Sequence, residues 1–441
     1  MTLPDGWTKT TIGAIAKVTS GGTPSRKIPD YWDGDIPWVT TSLIDFNTID
    51  ATEQHITRLG VDNSSAKLFP KGTLLMAMFG QGVTRGKVAM LGIDATFNQA
   101  CVAIIPRNGE SSRFLFHNLA TRYDEIRRLS NTGSQENLNA ALIKSIEVLW
   151  PKKEEIAPIV TVADCWDRGI RQLSDLIAAK VRFKQGLMQQ LLTGTRRCDV
   201  RRRVSLSPPP VEAVLKLGLS ATAVEVERGL NGKSYDEGIP KLESCPQGWR
   251  MVKLQELLSL AQRPVRLQRN HTYKLVTAKR YRAGIVPREE LRGGQIKTTT
   301  QFEAKAGDFL ISRRQIVHGA CGLVPASLDG AIVSNEYSCL RISGELDPTF
   351  FEYLTHTKYM QRTFYQSSVG VTVEKMIFRI EHWLRYGIHL PPLAEQKRIV
   401  ALLAAVDREI ILLDSLEKAL AEQKKGLMQK LLTGQIRVTV K

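Results

Sequence analysis

The nonapeptide GLMQQLLTG at residues 186–194 recurs as GLMQKLLTG at residues 426–434, with eight of nine positions identical. The match continues upstream without gaps, and the same offset of 240 residues places Glu155 on Glu395 and Asp167 on Asp407. A repeat of this length and fidelity indicates an internal duplication rather than a chance match. The chain is therefore predicted to contain two copies of one module.

The starts of the two modules also match, since PDGW at residues 4–7 resembles PQGW at residues 246–249. The two offsets, 240 and 242, differ by only two residues, so the modules have nearly equal length. The predicted organisation is a first globular domain at 1–150, a first long helix at 151–197, a linker at 198–244, a second globular domain at 245–390 and a second long helix at 391–436. Within the basic and proline-containing linker, VEAVLKLGL at 211–219 predicts one short helix.

The long helices are predicted to begin after Pro151 and Pro392, where glutamates suit the positive end of the helix dipole. Each is predicted to end at the sequence LTG, with Gly194 or Gly434 as the C′ glycine. A helix of about 39 residues would span about 58 Å at 1.5 Å per residue. Helices of this length need a partner surface, because packing supplies most of the stability of a helix in a protein.

Apolar residues recur in both helices at the alternating spacing of three and four that is typical of a coiled-coil seam. The predicted seam positions are Ile159, Ala163, Trp166, Ile170 and Leu173 in the first helix and Ile399, Leu403, Val406, Ile410, Leu413 and Leu420 in the second. Because the chain must return between modules, we expect the two helices to pair antiparallel. The alternative is that each helix lies on its own globular domain.

Gly186 and Gly426 occupy the same position in the two predicted helices. Glycine in a helix interior costs about 1 kcal/mol relative to alanine. Its duplication predicts a close backbone approach at a helix crossing or by another protein, and a tolerated weak point is the alternative.

The remaining sequence predicts mixed, strand-rich globular domains, so the fold class is α+β: two mixed α/β domains, each followed by a long helix. Short apolar runs after a glycine turn predict strands at 72–80 and 307–315, and alternating runs predict strands at 99–106 and 337–343. Helical spacing predicts helices at 113–129 and 348–365.

The chain of 441 residues carries 61 Lys and Arg against 44 Asp and Glu, a formal net charge of +17. Such an excess of positive charge favours a polyanionic partner, and nucleic acid is the first candidate. The basic residues also cluster, with nine Lys and Arg but only two acids between Arg263 and Arg292. A solvated basic face without a partner is the alternative.

Several classes of protein are disfavoured by the same composition. No run of about 18 apolar residues predicts a membrane span, and the first residues do not resemble a signal peptide. The six cysteines form no CxxC pair and the seven histidines are scattered, which predicts reduced thiols, no metal site and a cytoplasmic location.

We found no catalytic motif in the sequence. GQGVTRGKV at 80–88 departs from a Walker A loop in its glycine spacing and in having Val88 after Lys87, and it lacks the βαβ context of a dinucleotide loop. Glu303 and Lys305 form a nuclease-like fragment without an upstream acid. No catalytic residue is therefore predicted.

Several segments carry a family resemblance. GGTPSRKIPDYWDGDIPWVTTSLI at 21–44 resembles the opening of a target recognition domain of the specificity subunits of type I restriction-modification systems. The segments at 72–91 and 312–337 resemble strands and loops of such domains, and LPPLAEQKRIV at 390–400 resembles the conserved C-terminal region of that family. The first copy, WPKKEEIAPIV at 150–160, keeps the position but departs from the LPPLAEQ pattern.

The resemblance implies two target recognition domains at opposite ends of an antiparallel coiled coil, each reading one half of a bipartite, asymmetric site in double-stranded DNA. It implies that the subunit is not an enzyme and holds two modification subunits, which methylate adenine with S-adenosylmethionine, and through them the ATP-driven restriction subunits. No cofactor is expected on this chain, because S-adenosylmethionine, ATP and Mg belong to the partner subunits.

Polar loop residues in the segments that carry the resemblance are the predicted DNA contacts, since Arg and Gln have the donor geometry that base edges need. They are Thr23, Ser25, Thr40, Thr41, Arg85, Lys87, Ser134 and Gln135 in the first domain and Lys279, Arg280, Arg313, Arg314 and Gln315 in the second. Two other functions remain open: a self-sufficient DNA methyltransferase or nuclease with unrecognised motifs, and a scaffold that uses the coiled coil without DNA.

Overall fold

The computed structural model of the chain describes residues 3–80, 83–107, 111–129, 137–197, 238–242 and 244–438. The predicted contacts Ser134 and Gln135, the predicted short helix at 211–219 and most of the predicted linker lie outside these residues. The chain folds as two units, one formed by residues 1–173 and 415–441 and the other by residues 174–414. Each unit therefore combines a globular part with one half of each long helix.

The first unit contains a five-stranded sheet of order β2-β9-β6-β7-β4, a three-stranded sheet of order β5-β3-β8 and the pair β1-β10. Its strands are β1 Thr8–Thr11, β2 Ala16–Ser20, β3 Trp32–Val39, β4 Thr48–Ile49, β5 Gln54–Ile56, β6 Leu74–Ala77, β7 Val88–Leu91, β8 Thr96–Phe97, β9 Cys101–Pro106 and β10 Glu147–Trp150. Its short helices are α1 Ile12–Ile15, α2 Arg58–Asp62, α3 Ser112–Thr121, α4 Tyr123–Arg128 and α5 Ala140–Ser145. The first long helix is α6 Lys153–Leu192.

The second unit contains sheets of order β13-β16-β19-β14-β15 and β12-β20-β17-β18, with the pairs β11-β23 and β21-β22. Its strands are β11 Arg250–Lys253, β12 Leu258–Leu260, β13 Pro264–Val265, β14 Thr272–Ala278, β15 Ile285–Arg292, β16 Gln301–Ala304, β17 Phe309–Ser312, β18 Cys321–Leu323, β19 Ala331–Ser334, β20 Tyr337–Ile342, β21 Ser368–Val369, β22 Ile377–Phe378 and β23 Gly387–Leu390. Its short helices are α7 Leu254–Leu257, α8 Pro348–Thr355, α9 Lys358–Gln366 and α10 Ile380–Trp383. The second long helix is α11 Leu393–Leu431.

The apolar runs predicted as strands are β6 and β17, and both are buried on two faces. In β6, Leu74 and Met76 join one core cluster with α3, while Leu75 and Ala77 join another with Phe97. This double burial explains why the sequence of β6 is continuously apolar instead of alternating. The predicted strands at 99–106 and 337–343 are β9 and β20, so all four strand predictions are confirmed.

Each helical pattern in the globular parts is split into two helices. The pattern at 113–129 forms α3 and α4, which are separated by Arg122. The pattern at 348–365 forms α8 and α9, where the side chain of Thr357 caps α9 by accepting a hydrogen bond from Met360 N. The side-chain cap begins a new helix axis, which apolar spacing alone does not reveal.

The two long helices agree with the predicted bounds within a few residues and contain 40 and 39 residues. Gly194 and Gly434, which follow them, have φ of +74° and +70°. Glycine is the residue that adopts this left-handed conformation without a steric penalty, so the predicted C′ glycines are confirmed.

Ion pairs link the two long helices within each unit, and the two pairs of the second unit show that the helix halves there run antiparallel. In the first unit Asp167 of α6 contacts Lys424 of α11. In the second unit Lys180 Nζ lies 2.7 Å from a Glu409 carboxylate oxygen and Lys184 Nζ lies 2.5 Å from one of Asp407. Residue numbers rise along one helix as they fall along the other, as antiparallel neighbours require.

The predicted seam positions are all buried or half-buried. In the first unit Ile159 and Ala163 pack with Met428 and Leu431 of the other helix, with Leu432 just after it, and with residues of the globular part. In the second unit the matching residues Ile399 and Leu403 do the same with Met188, Leu191 and Leu192. Near its start, each long helix therefore contacts both the other long helix and its own globular part.

Gly186 and Gly426 are exposed, and a Cβ added to either would have no described atom within 4 Å. The expected backbone approach at a helix crossing is therefore wrong for these two glycines. The helices in the described part of the chain include none with an apolar stretch that could span a lipid bilayer.

Candidate nucleic-acid interface

A strained turn follows β14 in the second unit. Tyr281 and Arg282 have φ of 58° and 55°, a left-handed conformation that costs non-glycine residues about 1–2 kcal/mol each. The turn is held because Arg282 N donates a hydrogen bond to Gly319 O at 3.0 Å. Tyr281 is 44% exposed, so the strain holds an aromatic side chain at the surface beside Lys279 and Arg280.

The loop after β17 carries the next three predicted contacts. Arg314 is exposed, and its Nε lies 2.6 Å from Glu336 Oε1. Arg313 is half-buried, with its Nε 3.5 Å from Phe378 O. The side-chain oxygen of Gln315 is buried and has no hydrogen-bond partner among the described groups. Within the described residues, the oxygen of this amide therefore accepts no hydrogen bond.

Glu374 joins the two segments. Its carboxylate oxygens lie 3.4 Å from Arg280 Nη2 and 3.4 Å from His318 Nε2. Burial, and secondarily the nearby Arg280, lower the pKa of His318, while the Glu374 carboxylate opposes the shift. The structure thus brings Lys279, Arg280, Arg313, Arg314 and Gln315 together in one region, which we call the second loop surface (residues 279–284, 313–319 and 373–375).

The first unit has a related turn after β3, at Phe46, whose φ is 52°. Phe46 N donates to Val88 O at 2.9 Å, as Arg282 N does to Gly319 O in the second unit. Of the predicted contacts near this turn, Thr40 shares a hydrogen bond of 2.6 Å with Ser42, and Thr41 begins a short 3-10 turn. Polar side chains therefore occupy the equivalent loop of both units.

Lys87 and Arg85 lie next to this turn but are engaged internally. Lys87 Nζ lies 2.5 Å from Asp45 Oδ1, and its side chain is 15% exposed. Arg85 is 7% exposed, and its Nη2 donates to Arg127 O at 3.3 Å. Arg85 is buried because α4 lies over the β6–β7 hairpin. The sequence did not indicate this burial when Arg85 was predicted to contact DNA.

Thr23 and Ser25 lie in the loop before β3. Thr23 hydrogen-bonds to Gln99, and the carbonyl of exposed Ser25 accepts a bond of 3.1 Å from Trp32 Nε1. The neighbouring Arg26 was not predicted. Its guanidinium carbon lies 3.8 Å from the centroid of the Trp32 ring, and its Nη2 donates to Gln54 Oε1 at 2.6 Å. In the sequence Arg26 lies close to Trp32 and Trp38. This proximity is the signal that could have predicted an exposed cation held against an aromatic ring.

One buried cluster has the composition of a metal site. His117 Nε2 lies 2.8 Å from Asp164 Oδ1 and His117 Nδ1 lies 3.6 Å from Asp167 Oδ2. Arg113 Nε lies 2.8 Å from Asp164, and Lys424 contacts Asp167, so two cations already balance the two carboxylates. Burial lowers the pKa of His117 more than its hydrogen bond to Asp164 raises it. The cluster is an ion-pair network between elements of the first unit.

The second unit replaces this histidine with Tyr353, whose hydroxyl donates to Asp407 Oδ2 at 2.6 Å. Burial and the adjacent carboxylate raise the pKa of Tyr353, so the hydroxyl stays protonated. In both units, a side-chain network therefore links a helix of the globular part to a long helix at the equivalent position.

A family model described as a type I restriction modification DNA specificity domain matches residues 4–180 and, a second time, residues 246–422. The MjaIX type I restriction enzyme specificity subunit of Methanocaldococcus jannaschii is 32% identical over 170 residues, 37% of this chain and 39% of that protein. The EcoR124I/EcoR124II specificity subunit of Escherichia coli is 26% identical over 181 residues, 40% of this chain and 44% of that protein. These two alignments span less than half of either relative.

A third relative, the MjaVIII specificity subunit of M. jannaschii, aligns at 20% identity over 99% of this chain and 94% of its own. Among solved structures, one from a study of complex assembly and conformational transition of the type I R-M system covers 99% of this chain and 100% of its own, with a TM-score of 0.60 and 17% identity. The type I S subunit from M. genitalium covers 100% and 99%, with a TM-score of 0.51 and 13% identity. At these identities the likeness concerns the fold.

Proposed function

Because the chain belongs to the type I restriction modification DNA specificity family, we propose that it is the sequence-specificity subunit of a type I restriction-modification complex and performs no chemistry itself. The observation that carries this proposal is the duplication itself. Each unit repeats the same fold and the same positive-φ turn with polar loops, as two readers in one chain require. The family membership expected from the sequence is confirmed.

The two readers recognise different half-sites, so the DNA site is bipartite and asymmetric. This follows from the side chains on the equivalent loops: the second loop surface has Lys279, Arg280 and Arg314, whereas the first unit has Thr40 and Thr41 at the turn after β3. Different donors and acceptors select different base edges in the major groove.

The two long helices form an antiparallel coiled coil that sets the spacing of the readers, and an internal pseudo-two-fold axis relates the two modules. The support is that matched contacts recur in both units, such as Asp167 with Lys424 and Asp407 with Lys184. A two-fold scaffold offers two equivalent surfaces. These surfaces hold two modification subunits, which use S-adenosylmethionine, and through them the restriction subunits, which use ATP and Mg. The complex works in the cytoplasm.

Methylation mapping tests the proposal. Genomic DNA is compared between cells with the chain, cells without it, and cells in which its second recognition domain has been exchanged for that of a relative. We expect adenine methylation at a bipartite motif, loss of that methylation without the chain, and a change confined to one half of the motif after the exchange. A change in both halves would contradict two independent readers.

The alternative, a self-sufficient DNA methyltransferase or nuclease, makes a different prediction for the purified chain. We expect salt-sensitive DNA binding without methyl transfer or strand cleavage, even with S-adenosylmethionine, ATP and Mg present. Methyl transfer by the chain alone would establish the alternative, and lack of any DNA binding would favour a scaffold that does not contact DNA.

A further inference from the structure

Two loops of the second unit are joined at the end of its five-stranded sheet where β14 begins. Gly293 N donates to His271 O at 2.9 Å, and Gly294 N donates to Arg269 O at 3.0 Å. A Cβ added at Gly293 would lie 2.3 Å from Gln268 O. The two loops therefore approach so closely that only glycine fits at this position. Backbone bonds and a required glycine therefore fix the shape of this end of the sheet.

The two joined loops carry four basic residues, Arg266, Arg269, Arg292 and Lys297, which we call the basic tip. All four are exposed, and within the part of the chain that the structure describes none has a carboxylate at ion-pair distance. The nearby Arg288, by contrast, lies 2.6 Å from Glu289. Cations on two joined loops without counter-charges repel one another, which makes the basic tip a site for a polyanion.

Two residues of the basic tip, Arg269 and Arg292, lie at the opposite end of β14 from the second loop surface. They lie beside Thr272, where β14 begins, whereas Lys279 follows Ala278, where β14 ends. A strand of seven residues spans about 23 Å at 3.3 Å per residue. At 3.4 Å of duplex per base pair, this separation corresponds to roughly seven base pairs.

Among the described residues of the first unit, the corresponding end of β3 has no comparable excess of basic residues. Arg26 is stacked on Trp32, Arg58 Nε lies 3.2 Å from Asp62, and the bulge in β3 adds Asp33 and Asp35. The whole segment at 21–72 contains five basic and seven acidic residues, whereas its counterpart at 261–307 contains eleven basic and three acidic residues. These two equivalent segments are therefore opposite in net charge.

We propose that the basic tip binds backbone phosphates of DNA that flanks the second half-site, and that the first unit makes no equivalent contact. The inference rests on the proposed function, because it takes the second loop surface as the reader of that half-site. The basic tip holds the duplex without reading sequence, since phosphate contacts position a protein on DNA and base contacts specify the site.

The experiment uses the full chain in which all four residues of the basic tip are changed to glutamine. A control variant removes the same charge from exposed residues on other elements of the second unit, with Lys253, Arg341, Lys358 and Arg385 changed to glutamine. Affinity for a random-sequence duplex is measured over a range of salt concentrations, and the motif from methylation mapping is compared with its scrambled version. Thermal melting verifies that both variants remain folded.

Each phosphate contact contributes about 0.9 to the slope of log affinity against log salt. We therefore expect the slope of the basic-tip variant to be shallower by about three to four. Between 50 and 200 mM salt the wild type should lose roughly 100-fold more affinity than this variant does. The control should keep the wild-type slope, and both variants should keep the wild-type preference for the motif over the scrambled DNA.

Hydroxyl-radical footprinting on a motif-containing duplex gives an independent readout. The wild type should protect DNA beyond the second half-site only, and the basic-tip variant should lose that flanking protection while keeping the protection of both half-sites.

An unchanged slope in the basic-tip variant would overturn the inference, as would equal changes in the two variants or a loss of motif preference. These outcomes leave the proposed function standing as long as the wild type binds its motif. Failure of the wild type to bind DNA at all would overturn both.

Discussion

Arg197 binds Glu395 through two parallel hydrogen bonds of 2.9 Å, from Nε to Oε1 and from Nη2 to Oε2. Trp249 Nε1 donates to the same carboxylate at 3.1 Å. In the first unit Arg437 and Trp7 surround Glu155 in the same way, with Arg437 Nε 2.7 Å from Glu155 Oε2. In each unit an arginine five or six residues beyond the end of one long helix thus binds the start of the other.

Replacing the buried carboxylate should destabilise the second unit. Glu395 is 3% exposed and accepts three hydrogen bonds, so Glu395→Gln should lower the free energy of unfolding by about 2 kcal/mol, the usual size for bonds to a charged group. Denaturant titration measures the change. The control is Glu345→Gln, which breaks an exposed ion pair with Arg250 and should cost less than about 1 kcal/mol. Equal losses would contradict the structural role of Glu395.

The equivalent pair in the first unit should make stability depend on pH. The hydrogen bonds from Arg437, together with that from Trp7, hold the pKa of Glu155 below its ordinary value of 4.5, although burial opposes the shift. A carboxyl with a lowered folded-state pKa contributes stability above its unfolded pKa and loses it as the pH falls through the folded pKa. The difference in unfolding free energy between the wild type and Glu155→Gln should therefore be full at pH 7 and shrink below pH 4.5. A constant difference would contradict the shift.

Two leucines of α11 should differ in their contribution to stability. Leu403, a predicted seam residue, is fully buried, so Leu403→Ala should cost about 2–5 kcal/mol through lost burial and the cavity it leaves. Leu412 is 69% exposed, and Leu412→Ala should change stability by less than about 0.5 kcal/mol. Denaturant unfolding of both variants measures the contrast. Similar losses of stability in the two variants would mean that the buried face of α11 is not the one that contains Leu403.

A fragment of residues 1–197 should form a homodimer. In the full chain the end of α11 covers the first unit with Met428, Leu431 and Leu432, and the end of α6 carries the same residue types at Met188, Leu191 and Leu192. A second copy of the fragment can therefore replace the missing helix. Exposure of this apolar face would otherwise be unfavourable.

Light scattering tests this association, and selection from random DNA tests its consequence, a preference for a palindromic site built from two inverted first half-sites. A monomeric fragment, or a selected site without inverted symmetry, would show that the two helix ends are not interchangeable.

Arg314→Ala should relax specificity in the second half-site only. Arg314 is exposed on the second loop surface, and an arginine that contacts a base edge contributes about 1–3 kcal/mol of discrimination. Selection from random DNA by the variant gives the tolerated bases at each position. Glu336→Gln, which removes the ion-pair partner of Arg314 but leaves the guanidinium, is the control and should retain the wild-type preference. Relaxation in both halves would contradict separate readers.

The sequence alone determined the duplication, the long helices and their antiparallel relation within each unit. These features depend on local sequence patterns, because a repeat, an apolar seam and a terminal glycine each act over a few turns of helix. The same local reasoning located β6 and β17, but it joined α3 to α4 and α8 to α9, since a side-chain cap and a change of helix axis leave the apolar spacing almost unchanged.

Tertiary structure decided which predicted contacts are presented to a partner. Arg85 and Arg314 are both arginines in polar loops of the sequence, yet Arg85 is 7% exposed beneath α4 and Arg314 is exposed beside Glu336. It also decided that Arg269 and Gly294, separated by 25 positions of chain, are joined by a backbone hydrogen bond. Exposure and proximity depend on which segments of chain return to cover or meet a residue, and that information is not local to the residue.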